Sequence, residues 1–239
     1  MSRVLRFAVI AVATVLAACA VRLGGPSPVE YDVAALAEPR NADADAVAER
    51  IRGSGADIVL LVGERTDSAW YQYVAYRAGL GLSGPGTTTG RGYAFLANLE
   101  LLGDTSLVLD VPGGGSVHMH DALYQIDETR FLDLMTVRLL GPDLRAAVRT
   151  LLDYIATDVM ATAPLLLVFD GPTPQRADSA AVMVRATIAN ALECVDAGVA
   201  GETPLRMMYG PSARVRCLGA QPIPGETPGI VARLQIGRW

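Results

Sequence analysis

Short apolar runs that end on a carboxylate set the plan of this chain. Ile58-Val59-Leu60-Leu61-Val62 has no polar interruption, reads as a strand buried on both faces, and is followed by Gly63 and Glu64. Leu165 to Phe169 repeats the design and stops at Asp170 and the turn Gly171-Pro172-Thr173-Pro174. Between them the period changes. Ala44, Val47, Ala48 and Ile51 share one helical face behind the entrance Asn41-Ala-Asp-Ala-Asp45, and Gly53 or Gly55 closes that helix. Asp67 to Gly79 predicts a second helix carrying Trp70, Tyr73, Val74 and Arg77, and Pro142 to Ala161 a third with Leu144, Val148, Leu151, Leu152 and Ile155. Ser179 to Ala197 predicts a fourth. Further strands are expected over 29–37, 93–97, 106–111, 117–126, 131–140, 206–209, 215–220 and 230–236, while Gly79 to Gly92, dense in Gly, Ser, Thr and Pro, predicts a surface loop.

Helices interspersed among strands, with consecutive strands in the middle of the chain, give an α/β fold. The arrangement expected is two mixed β-sheets packed as a sandwich with helices on the outer faces, four layers in all. The 239 residues suffice for one domain behind a leader. No repeat of fixed short period occurs. A hydrophobic fraction of 51% marks a globular chain, and a formal net charge of -5 argues against strong nucleic-acid binding. All 20 basic residues other than histidine are arginine.

The first residues add an address. Arg3 and Arg6 precede the apolar run Phe7 to Ala18, too short for an ordinary membrane span and laid out as a secretory signal. It closes on Leu16-Ala17-Ala18-Cys19, which resembles the bacterial lipoprotein signal, in which the cysteine is lipidated after cleavage before it. Three segments follow: 1–18 as signal peptide, 19–28 as a Gly- and Pro-rich tether, and 29–239 as the folded domain. The expected place is the bacterial cell envelope, held to a membrane through Cys19 and facing the periplasm or the exterior. With Cys19 lipidated, Cys194 and Cys217 remain, either as a disulfide in an oxidising compartment or as two free thiols.

Taken in order, several segments resemble the endonuclease/exonuclease/phosphatase superfamily, the deoxyribonuclease-I-like fold. Ala56-Asp-Ile-Val-Leu-Leu-Val-Gly-Glu64 resembles the family's glutamate-bearing strand, and Gly92-Tyr-Ala-Phe-Leu-Ala97 and Leu132-Asp-Leu-Met-Thr-Val-Arg-Leu139 resemble two further family strands. Pro164-Leu-Leu-Leu-Val-Phe-Asp170 resembles the aspartate strand, Arg206-Met-Met-Tyr209 the strand after it, and Gly225 to Ala232 the closing segment. The resemblance implies Glu64, Asp170 and Glu226 as ligands of Mg²⁺ or Mn²⁺, with Asp170 and Arg138 acting on a phosphoester.

The departures bear on catalysis. Arg138 stands where the family has a histidine, Thr227 where it has the closing histidine, and Met208 where it has an aspartate. Gly63 replaces a glutamine, Gly171 or Pro172 an asparagine, and 29–37 offers no asparagine for the first strand. Water attacking a phosphoester at neutral pH needs a base or a metal, and the matched positions hold no histidine. Two readings follow: an impaired or non-catalytic domain that binds or scaffolds an envelope partner, or an active metal-dependent phosphoesterase. The two histidines, His118 and His120, share one strand face; they are either a metal pair completed by Asp121 or Glu128, or a solvated face. Gly113-Gly114-Gly115 lacks the helix and lysine of a phosphate loop and reads as a hairpin turn. Trp70, Tyr71, Tyr73 and Tyr76 read as core or surface packing, or as a platform for a carbohydrate or a lipid headgroup.

Overall fold

The computed structural model describes residues 28–63, 65–88, 91–158, 165–187, 192–193, 205–210 and 215–237. The segments read as signal peptide and nearly all of the tether, and with them Cys19, lie outside the described residues, as do Glu64 and Cys194.

The first half runs β1 (Val29–Glu38), α1 (Ala44–Ser54), β2 (Ile58–Gly63), α2 (Ser68–Ala78), β3 (Leu82–Thr88) and β4 (Arg91–Ala97). The second half runs β5 (Glu100–Asp110), β6 (Ser116–Asp127), β7 (Arg130–Leu140), α3 (Leu144–Asp158), β8 (Leu165–Asp170), α4 (Pro174–Thr187), β9 (Leu192–Glu193) and β10 (Leu205–Gly210). Two strands, β11 (Val215–Ile223) and β12 (Gly229–Ile236), close the order. One sheet is β11-β12-β1-β2-β4-β3 and the other β5-β6-β7-β8-β10-β9. Each contains a parallel pair joined by a helix, β1–β2 through α1 and β7–β8 through α3; the remaining pairs are antiparallel. The two halves therefore repeat one plan, strand, helix, parallel strand, helix, then an antiparallel pair.

Strand alternation divides the core into three layers. Val33, Ala35, Ile58, Leu60 and Phe95 of the first sheet meet Tyr124, Leu134, Leu166, Val168 and Met207 of the second between the sheets. The opposite faces pack under the helices: Leu36, Val59 and Leu61 against Val47, Ile51, Trp70 and Val74, and Val137, Leu167 and Phe169 against Val148, Leu151 and Val184. This is the two-sheet sandwich with outer helices. Runs with no polar interruption, such as Ile58 to Val62, serve both layers at once and are fully buried.

The helix boundaries follow local chemistry. Asp43 caps α1 by accepting from the Ala46 amide, and Gly55 ends it at φ 67°, a left-handed turn that costs glycine little. Asp67 caps α2 in the same way.

Three sequence expectations need correction. The stretch 79–92 is not all loop, because β3 pairs with β4 along the edge of the first sheet. Its Pro85 is tolerated there, since an edge strand has no second partner to serve. The fourth helix begins at Pro174, not Ser179, and ends at Thr187; proline fits a helix's first turn, where its missing N–H is not needed. Leu192–Glu193 is then a short strand rather than helix. Third, His118 and His120 face neither solvent nor the carboxylates proposed to join them. They are 3% and 1% exposed and lie on the inter-sheet side of β6, whereas Asp121 lies on its other face and Glu128 is in the exposed turn after β6.

Candidate functional site

A polar layer interrupts the apolar space between the sheets at one end of the second sheet. On β8 the alternation Leu166, Val168 continues to Asp170; on β7, Leu132 and Leu134 continue to Thr136 and Arg138; on β6, Tyr124 and Ala122 lead back to His120 and His118. Five polar side chains thus share one face because three adjacent strands hold matched register. Asp170 is fully buried, and its Oδ2 accepts from Arg138 Nη1 at 2.9 Å. Arg138 stands opposite His118 in the ladder. Burial, then the neighbouring Arg138 charge, push the His118 imidazole below its ordinary pKa, and its Nε2 meets Ser116 Oγ at 2.8 Å. His118 is therefore neutral at pH 7.

Glu226 is exposed in the turn between β11 and β12, and that turn is gripped from α1 by Arg50. Arg50 Nε donates to the Pro224 carbonyl and Nη2 to the Thr227 carbonyl, both at 2.9 Å, while Nη1 pairs with Glu38 at the end of β1. Glu38 belongs to the helix-facing side of the first sheet, following Ala34 and Leu36 in alternation. Burial raises its carboxyl to about 7 against the opposing pull of Arg50, and the charge of Glu226 adds to the rise.

Asp170 and Arg138 come together as an ion pair on the inner face of the second sheet. Glu226 joins Glu38 and Arg50 beside the helices of the first, and Glu64 lies outside the described residues. Among the described residues no three His, Cys, Asp or Glu side chains are grouped to hold a metal ion. Asp170, the buried carboxylate that the resemblance gives to a divalent cation, has a guanidinium at hydrogen-bonding distance instead. Mg²⁺ and Mn²⁺ require several convergent oxygens, at about 2.0–2.1 Å for Mg²⁺, and among the described residues Asp170 brings one carboxylate already engaged by Arg138. Beside Asp170, among the described residues, lies a small space, about 10 Å³, lined by Phe169, Pro172, Arg176 and Ala177 among others.

Sequence reasoning missed several polar groups. Glu38 lies one residue past the stretch searched for a first-strand ligand. On the outer face of the second sheet, Asp121 and Asp133 approach each other; burial first, then the hydrogen bond and charge of Asp121, raise the Asp133 carboxyl far above the ordinary carboxylate range. The alternation of β6 and β7 already places these two on one face, which was the available signal. The aromatics divide: Trp70 and Tyr71 are core, Trp70 lying under the Arg65 guanidinium at 5.0 Å, whereas Tyr76 is 80% exposed.

No protein-family model and no curated protein matches the chain. Solved structures do. An endonuclease/exonuclease/phosphatase family protein from Bacteroides thetaiotaomicron superposes with a TM-score of 0.64 at 11% identity, over 87% of this chain and 96% of that one. The endonuclease/exonuclease/phosphatase from Bacteroides vulgatus gives 0.63 at 13% identity, over 87% and 99%. D. rerio TDP2 complexed with a single-strand DNA product gives 0.60 at 15%, over 86% and 98%. Identities this low speak to architecture, and the two mixed sheets, their outer helices and the agreement across nearly the full length of these chains carry one conclusion: this chain has the deoxyribonuclease-I-like fold of the endonuclease/exonuclease/phosphatase superfamily.

Proposed function

We propose that this is a lipid-anchored envelope protein whose deoxyribonuclease-I-like domain no longer works as a metal-dependent phosphoesterase and serves as a binding or scaffold module. The observation that carries this reading is the Arg138–Asp170 pair. An aspartate fully buried and bonded to a fixed cation has its charge already compensated, so a divalent ion would have to displace the guanidinium and strand it. The histidine replacements argue the same way, since Thr227 and Arg138 supply no base at neutral pH. The anchor rests on the Leu16-Ala17-Ala18-Cys19 sequence, and Cys19→Ala is expected to move the protein from the membrane fraction to the soluble one; an unchanged membrane fraction refutes the anchor. Cys194 and Cys217 are proposed as a disulfide, which would join the β9 end of one sheet to the β11 edge of the other.

Calorimetric titration of Mn²⁺ and Mg²⁺ into the purified protein tests the loss of the metal centre. No saturable binding up to millimolar ion is expected for the wild type, and no hydrolysis of bis(p-nitrophenyl) phosphate. Saturable binding that disappears in Glu64→Ala would overturn the reading and favour the active phosphoesterase.

A further inference from the structure

The polar layer has a second end, at β5, where a different set of groups meets. Asp104 and Ser106 are two residues apart on this strand, so the pleat sets both side chains on one face. Ser106 stands opposite His120 on β6, and Asp104 opposite Ala122. The methyl of Ala122 leaves the His120 ring room to lie between the two β5 side chains. Ser106 Oγ is 2.6 Å from Nδ1, and Asp104 Oδ2 is 3.9 Å from Nε2. The ring is 1% exposed and is stacked on Phe95, centroids 4.9 Å apart at 20°, with Tyr93 parallel to it at 6.4 Å. Ser106 is exposed and Asp104 partly so, with 39% of its side chain accessible. A surface hydroxyl therefore touches a fixed imidazole whose far nitrogen faces a carboxylate.

We propose that Ser106, His120 and Asp104 form a nucleophile, base and carboxylate relay that cleaves carboxylic esters by acyl transfer, independently of the Arg138–Asp170 end of the layer. The three roles match those of the serine hydrolases on unrelated folds, with the two ring nitrogens exchanged. With the proton on Nε2, directed at Asp104, the Nδ1 lone pair accepts the Ser106 hydroxyl. In acylation the Ser106 Oγ–carbonyl carbon bond forms, the hydroxyl proton passes to Nδ1, the ester C–O bond breaks, and that proton leaves with the alcohol. Water then repeats the exchange: its proton goes to Nδ1, its oxygen to the acyl carbon, and Oγ regains the proton as the acid departs. Asp104 is a positioning residue, stabilising the imidazolium across the 3.9 Å gap. Among the described residues β5 is the end strand of its sheet, so alternate backbone N–H groups on its outer edge point where a developing oxyanion would form. A carboxylate beyond hydrogen-bonding distance makes a modest base, which suits esters, with their better leaving groups, over amides.

The test uses the full-length protein, a fluorophosphonate probe and p-nitrophenyl acetate. One phosphonyl adduct on the Ser106 peptide by mass spectrometry is expected, together with ester hydrolysis that Ser106→Ala reduces at least ~100-fold, the lower range for a lost base-assisted step. Ser106 is exposed, so this variant should keep its melting temperature. Asp104→Asn is expected to lower kcat and move the acid limb of the pH profile to lower pH, a change that a merely structural carboxylate would not produce. His120 is buried, so His120→Gln perturbs folding as well as chemistry; Ser106→Cys separates the two, because iodoacetamide should alkylate the thiol with a pH midpoint well below that of free cysteine. No adduct on Ser106, or equal ester hydrolysis by wild type and Ser106→Ala, overturns the proposal.

Discussion

Replacing Arg138 with methionine removes the cation from a fully buried carboxylate while leaving most of the side-chain volume. The Asp170 side chain is 0% exposed and that of Arg138 15%, so solvent does little to screen the pair. Two opposite charges about 4 Å apart in a medium of effective dielectric near 20 attract by about 4 kcal/mol. Removal of one partner from such buried pairs costs about 3–5 kcal/mol. That is a large part of the 5–15 kcal/mol that typical domains possess. With a urea dependence of about 2 kcal/mol/M, the unfolding midpoint should fall by about 2 M. Asp170→Asn placed on top of Arg138→Met removes the uncompensated charge and should recover most of the loss, so a double-mutant cycle isolates the pair. Urea unfolding followed by far-UV circular dichroism reads all four proteins. A loss below about 1 kcal/mol for Arg138→Met, or a double variant no more stable than the single, would refute the argument that Arg138 is the standing counter-charge of Asp170.

Three further outcomes are expected. The Glu38 carboxyl, raised from 4.5 to about 7, binds its proton more tightly in the folded state, so its contribution to stability is fullest below pH 4.5 and is lost as pH rises from there through about 7. The fall is at most about 3 kcal/mol by linkage, and Glu38→Gln should remove that part of the slope in a series of melting temperatures; an unchanged slope counts against it. If Cys194 and Cys217 are bonded, denatured protein shows no thiol until reductant is added, and reduction costs about 3 kcal/mol for a loop of this size; two thiols titrating without reductant sink the pairing. A Cβ at Gly92 would lie closer than 3.0 Å to the Arg65 carbonyl oxygen and the Tyr71 hydroxyl, so Gly92→Ala should cost more than about 2 kcal/mol in the same urea assay, and a neutral result would refute the close approach.

The parts of this fold that could be read in the sequence are those whose signal is local. Ile58 to Val62 and Leu165 to Phe169 announce themselves because strands covered on both faces tolerate no polar residue. The helix at Ala44 does so because Asp43 and Gly55 mark its two ends. β3 could not be read: Leu-Ser-Gly-Pro-Gly-Thr-Thr contains mostly turn residues, and only the edge position supplied by β4 makes a strand of it. Of the site, Asp170 and Arg138 stood out one at a time, at the end of an apolar run and in place of a histidine. Their pairing, and that of Ser106 with His120, depends on the register of neighbouring strands, which no short window contains. Arg50 is further from view still, since it grips a turn 174 residues away in the chain.

The position of β1 has a consequence for how the molecule forms. It lies inside the first sheet with β2 on one side and β12 on the other, in register from Val29 opposite Ile236 to Ala35 opposite Ile230. A chain emerging residue by residue can complete β1, α1 and β2 early, yet one edge of β1 stays open until β12 arrives. Contacts so distant in sequence slow folding, and an open apolar edge invites association with other chains in the interval. For a chain exported as proposed above, late closure would be useful: translocation would meet a chain with its first sheet still unzipped, and the two ends of the domain would lock together only after both had passed.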